Sequence, residues 1–207
     1  MPKKTIDRRT IRTKRLIRSA LAELMEEKGF DGITVNELTV KADINRGTFY
    51  LHYRDKQDLL EKCEDEIITE INEIIKAALQ LRPEEVVKLK HYFEPFPFVI
   101  KLFEYILENS PFIKVILGPK GNPSFQVKLK EVLRKALLKR VQTFNKEKMM
   151  VPADYWTAYL SSAYLGVIQS WLESGMKESP RDMSVILLKL TFLGPVTVAG
   201  LIQTTKS

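Results

Sequence analysis

Residues 34–53 read TVNELTVKADINRGTFYLHY. Thr34 is followed three residues later by Glu37, the pattern in which a hydroxyl and a carboxylate cap each other's backbone amides. It opens a short helix that ends near Lys41 or Ala42. Asp43 tolerates left-handed backbone and suits a tight turn. Asn45 is a strong N-cap for a second short helix over residues 46–51. Two short helices joined by a tight turn predict a helix-turn-helix. Its second helix is then the reading element, which lies in the major groove of DNA.

The residue types suit that work. Arg46 can reach a guanine edge or a phosphate. Gly47 lets the backbone come close to the sugar-phosphate chain. Thr48, Tyr50 and His52 supply donors to phosphates, and Lys56 opens the next helix, where amides and dipole favour an anion. Thr34 and Asn45, at the two helix starts, complete the candidate DNA contacts. Val35, Leu38, Ile44 and Phe49 are spaced to be buried between the helices.

Upstream, 3.6-residue periodicity predicts a helix from about residue 7 or 8 to 28, with Ile17, Ala20, Leu21, Leu24 and Met25 on its apolar stripe. Gly29 stops it. Its start is cationic and its end carries Glu26 and Glu27, which opposes the helix dipole unless an external anion meets the basic end. Residues 1–18 hold eight of the 33 Lys and Arg and one of the 26 acids, leaving 25 of each sign in the rest. The whole formal charge of +7 therefore sits in the first 18 residues. Such an arm suits nucleic acid or an anionic membrane surface, or is simply a solvated tail.

Downstream, Asp55 is a further N-cap candidate. It opens a long helix with Leu60, Cys63, Ile67, Ile71, Ile74 and Ala78 on one stripe; Glu64, Asp65, Glu66, Glu70 and Glu73 form an acidic, solvated face. Pro83, Pro95 and Pro97 interrupt the pattern, around a short helix over 84–90. Helices follow over 98–109 and 110–117, then a turn cluster over 118–123. A helix over 124–146 has a basic outer face. Another runs from Pro152 or Ala153 to about 174, and Ser179 with Pro180 starts the last, which ends or kinks near Gly194 and Pro195. There is no alternating strand, and the chain reads as all-α.

Ile33, Thr34 and Val35, then residues 42–53, Asp55, Lys56, Leu59 and Leu60 resemble the N-terminal signature of the TetR/AcrR family of bacterial regulators. Two departures are Asp43, where Gly is usual, and Thr39, where Ala is usual. More weakly, residues 102–106, Glu108, Asn109, and residues 171–176 with Ser179 and Pro180 resemble a C-terminal domain common in that family. The resemblance implies a three-helix DNA-binding domain over 1–56 and a helical ligand-binding and dimerisation bundle over 57–207. It implies a small-molecule pocket, for which Phe96, Phe98, Phe103, Phe125, Trp156 and Tyr159 are candidates. Residues 95–98 read equally as pocket wall or packed connection. It also implies pairing of the last two helices with those of a second copy. Ala163, Gly166 and Ser170 on one, and Ile186, Leu190 and Leu193 on the other, are the interface candidates.

The composition excludes much else. At 207 residues, 44% hydrophobic and 29% charged, the chain is globular. One Cys and two His allow no internal disulfide and no His-rich metal site. Cys63 on an apolar stripe reads as a buried, inert thiol, and His91 as packed or solvated. No signal-peptide core and no uncharged apolar stretch of membrane length appears, so a cytoplasmic location is expected. No nucleophile–base pairing supports a helical enzyme, and the arm has few apolar groups for a membrane anchor. The expectation is a homodimeric repressor released from its double-stranded DNA operator by an unknown small-molecule effector, with no cofactor, metal or membrane partner. An activator or co-regulator whose C-terminal domain binds a protein is the alternative.

Overall fold

Several helix boundaries have a local cause in the sequence. The computed structural model describes residues 8–77, 94–143 and 149–201. Among them are nine helices and no strand: α1 (Arg8–Lys28), α2 (Val35–Lys41), α3 (Arg46–Tyr50), α4 (Lys56–Lys76), α5 (Pro97–Glu108), α6 (Ser110–Leu117), α7 (Pro123–Thr143), α8 (Ala153–Glu173) and α9 (Pro180–Val198). Gly29 (φ 76°) and Gly175 (φ 84°) take left-handed backbone just after α1 and α8, conformations a side chain resists. Ser179 caps α9 through the amide of Asp182, with Pro180 at the first helical position. Gly194 breaks the helical dihedrals inside α9 ahead of Pro195. Lys3, Lys4, Ala78, the short helix expected over 84–90, His91, and the end of the helix expected at 146 lie outside the described residues.

The chain divides into two compact units, and neither is contiguous. The first holds residues up to 68 and residues 109–126. Here α1 packs along α6 and against α2. The expected stripe of α1 is buried, as are Phe112, Ile113 and Ile116 of α6. Arg18 reaches the side-chain amide oxygen of Asn109 at 2.7 Å, and Lys14 pairs with Glu66 at 3.0 Å. The turn before α7 comes so close to α6 that a Cβ at Gly121 would stand 2.1 Å from the carbonyl oxygen of Ile116. The boundary expected after residue 56 thus falls inside a unit, because Leu59, Leu60, Cys63 and Ile67 of α4 are buried there. Glu64 departs from the expected acidic face. It lies four residues after Leu60 and three before Ile67, on the apolar stripe, and is buried. Burial also pushes the Cys63 thiol up to about 12, so it stays protonated.

The second unit holds residues 69–108 and 127 onward. In it α5 packs against α9, and α8 touches α9. The Phe103 and Trp171 rings meet edge to face at 5.2 Å, and the indole N–H of Trp171 donates to the carbonyl of Glu178.

Candidate nucleic-acid interface and ligand cavity

The turn between α2 and α3 is built by short-range bonds. The Thr34 hydroxyl accepts from the Glu37 amide at 3.3 Å, and the Glu37 carboxylate accepts from the Thr34 amide at 3.0 Å. Lys28 also pairs with that carboxylate. Lys28 first, then Thr34, hold the carboxyl down at about 2. Asp43 sits at φ 51° without a glycine. Its amide donates to Val40 and that of Ile44 to Thr39, at 3.1 and 3.0 Å. Thr39 is buried and spends its hydroxyl on the carbonyl of Asn36, which removes the penalty of having Thr there. Asn45 caps α3 by accepting from the Gly47 amide at 2.8 Å. Leu38 and Phe49 are fully buried, and Val35 and Ile44 are half-buried, so the two short helices share one small core.

Thr34, Asn45, Arg46, Gly47 and Tyr50 are exposed, while Thr48 and His52 are half-buried. Arg46 folds over the Tyr50 ring, 5.6 Å from its centre, and donates to the Tyr50 hydroxyl at 3.2 Å. Lys56 is placed differently from the outward contact expected of it. Its ammonium donates to the carbonyls of Phe30 and Asp31 and lies 5.0 Å over the Phe30 ring. The Phe30 and Asp31 carbonyls, early in the α1–α2 connection, attract the cation there, so its side chain ties that loop to the start of α4. Leu51, 81% exposed just after α3, is an outward apolar group that the reading for donors and cations passed over. Its signal was its place beside Tyr50 at the end of the reading helix.

Arg8, Arg9, Arg12 and Arg15 are exposed on α1. Lys14 and Arg18 serve the internal contacts described above. The basic face is therefore narrower than a count of charges suggests. At the start of α4, Asp58 accepts from the Arg54 backbone and guanidinium and from Lys62 at 2.8–3.2 Å. Lys62 first, then the Arg54 amide, lower its carboxyl to about 2.

The second unit holds a cavity of about 620 Å³ that is partly open to solvent. Its wall uses one face of each helix: Leu133, Ala136 and Leu137 of α7, Trp156, Leu160 and Tyr164 of α8, and Ser184, Leu187, Leu188, Thr191 and Phe192 of α9. These spacings of three, four, seven and eight residues mark one helical face. Arg140 brings the only charge among the described lining residues. Phe96, Phe98 and Trp156 line the cavity. Phe103, Phe125 and Tyr159 do not. Phe103 is fully buried against Trp171, and Phe125 is fully buried in the other unit. Tyr159 is 55% exposed, because it precedes the inward Leu160 by one residue and so falls about 100° round α8. Tyr164 and Ser184 were missed, since a hydroxyl within an apolar face resembles ordinary core until the cavity is visible. Burial raises the Tyr164 hydroxyl above its usual range.

Tyr159 shares the outer face of α8 with Tyr155, Ser162, Gly166 and Ser170, all exposed. Ala163 is half-buried beside them. A Cβ at Gly166 would meet nothing within 4 Å. On α9, Ile186 is exposed, Leu190 and Leu193 are half-buried, and Met183 and Leu187 point inward. Among the described residues no helix is long and apolar enough to cross a membrane, and no group of three His, Cys, Asp or Glu could hold a metal ion.

Comparison with known proteins agrees with this geometry. Residues 17–63 match the family described as bacterial regulatory proteins, tetR family, and residues 94–192 match a transcriptional regulator C-terminal region. YxbF of Bacillus subtilis, described as an uncharacterized HTH-type transcriptional regulator, is 26% identical over 182 residues, covering 87% of this chain. The chain spans 45% of the length of that relative. The fatty acid degradation regulator FadR of Bacillus halodurans has the same fold, with a TM-score of 0.61 at 17% identity over 86% of this chain and 93% of its own. FadR of Bacillus subtilis, solved with stearoyl-CoA, gives a TM-score of 0.60 at 17% identity over 87% of this chain and 98% of its own. The helix-turn-helix with its two caps, followed by a matching helical C-terminal region, makes this chain a member of the TetR family of transcriptional regulators.

Proposed function

We propose that this regulator is a cytoplasmic, homodimeric repressor, released from its operator by an apolar small molecule. The observation that carries the reading is the cavity of about 620 Å³. It falls within the range of small-molecule sites, and its wall is mainly aliphatic and aromatic with a few hydroxyls, the composition such sites share. The likeness to a FadR solved with stearoyl-CoA makes long-chain acyl compounds the first ligands to try.

In this reading Arg46, Thr48, Tyr50 and the α3 N-terminus meet DNA, and the arginines of α1 add counterion-release affinity. The outer face of α8, with Gly166 and Ser170 flanked by tyrosines, meets the same face of a second copy together with Ile186 of α9. Two reading helices must then stand one DNA turn apart, about 34 Å. A ligand that prefers another spacing releases DNA by shifting the population.

The test uses a duplex selected by the protein from a random pool. Stearoyl-CoA, or another acyl compound that raises the melting temperature, is expected to lower affinity for that duplex in an anisotropy titration. A ligand that stabilises the protein and leaves DNA affinity unchanged defeats the release mechanism. Reporter transcription that falls when the protein is deleted defeats the repressor assignment.

A further inference from the structure

We propose that the cavity's ligand carries an acceptor oxygen that hydrogen-bonds to Ser184 while an apolar body fills the rest. This rests on the cavity being a ligand site. Ser184 lies in the cavity wall and is 1% exposed. Its hydroxyl has no hydrogen-bond partner. Helical serines ordinarily return the hydroxyl to the carbonyl four residues back, as Ser162 does to Ala158 and Thr191 does to Leu187. A buried hydroxyl without a partner is costly, and native proteins keep few of them.

The other hydroxyls of the wall are already engaged. Thr191 donates to Leu187 at 2.7 Å, so its contact with Tyr164 at 3.1 Å takes the Tyr164 proton. Tyr164 keeps only acceptor capacity, and Ser184 alone of these three has an uncommitted donor. A ligand oxygen is the complementary partner. A purely hydrocarbon ligand leaves the Ser184 donor unmet, and a quaternary ammonium head cannot accept from it.

The pair 1-naphthol and naphthalene differs by one hydroxyl on the same ring system, and both are measurable by equilibrium dialysis. The wild-type chain is expected to bind 1-naphthol roughly 2- to 10-fold more tightly than naphthalene, the ratio of one neutral hydrogen bond. Ser184→Ala removes an oxygen that makes no internal bond, so the variant keeps the fold. In it the ratio is expected to fall to about one, with naphthalene affinity unchanged or improved. A preference for 1-naphthol that survives in Ser184→Ala, or none in the wild type, overturns the assignment to Ser184 and leaves the cavity as a ligand site. Binding of neither compound to either protein overturns the ligand-site reading and this inference with it.

Discussion

Asn45 should separate stability from DNA affinity when replaced in three ways. The reading helix α3 has only five residues, and its first-turn amide at Gly47 is met by the Asn45 side chain at 2.8 Å. So short a helix has too few internal bonds to hold its first turn alone. It depends on Phe49, its fully buried fourth residue, and on its caps. Asn45→Ala removes the cap, a loss of about 0.5–2 kcal/mol. For a chain of this length that lowers the melting temperature by roughly 1–8 °C. DNA binding must then order the frayed turn, so operator affinity falls by about 2- to 30-fold. Asn45→Ser restores the cap and should return both quantities to near wild type. Asn45→Asp also caps and suits the positive helix end, so the melting temperature holds or rises. If this helix end meets phosphate as proposed, its carboxylate should bring affinity below that of the serine variant. Thermal melts and anisotropy on a selected duplex measure both. An aspartate variant that binds as tightly as the serine variant would refute the placement of this helix end against DNA. An alanine variant unchanged in both assays would refute the cap.

Arg46→Ala should weaken cognate binding by about 1–3 kcal/mol if Arg46 reads a base; equal losses on cognate and scrambled duplexes would show a phosphate contact alone. Gly121→Ala must displace the Ile116 backbone, because its Cβ would stand 2.1 Å from that carbonyl oxygen. A loss of roughly 1–3 kcal/mol is expected in denaturant melts, and a neutral result would contradict the close approach. Asp58 has its carboxyl lowered from 3.8 to about 2 by Lys62 and Arg54. Its contribution is complete above pH 4 and is lost as pH falls from about 4 to about 2. Asp58→Asn should flatten that part of the acid melting profile, and an unchanged profile would refute the pairing. Gly166→Glu should leave helical content intact, since a Cβ there meets nothing within 4 Å. It should convert a dimer to monomer in sedimentation by burying an unpaired carboxylate; a variant that still dimerises would move the interface elsewhere.

The DNA-reading half was legible in the sequence because its causes are local. Thr34 with Glu37, Asp43 and Asn45 each act within four residues, and each does in the structure what its type suggests. Features set by distant contacts were not legible. Nothing adjacent to Lys56 shows that the Phe30 and Asp31 carbonyls will capture its ammonium. Nothing local distinguishes Phe96, which lines the cavity, from Phe103, which packs on Trp171. Glu64 lies within an acidic run, yet its turn of the helix brings it onto the stripe shared by Leu60 and Ile67. A run of like residues conceals a period when one member falls on the buried face.

The packing of α6 along α1 bears on how such regulators can be recombined. A chimera cut once after residue 56 transfers the helix-turn-helix but abandons the segment 109–126 that completes its unit. The apolar face of α1 then loses Phe112, Ile113 and Ile116 as companions, and the amide of Asn109 no longer receives Arg18. A single crossover delivers the proposed DNA contacts Arg46, Thr48 and Tyr50, but not the segment 109–126 packed in the same unit. Exchange of DNA specificity between relatives therefore requires two grafts, the head and a short internal helix, inherited as a pair.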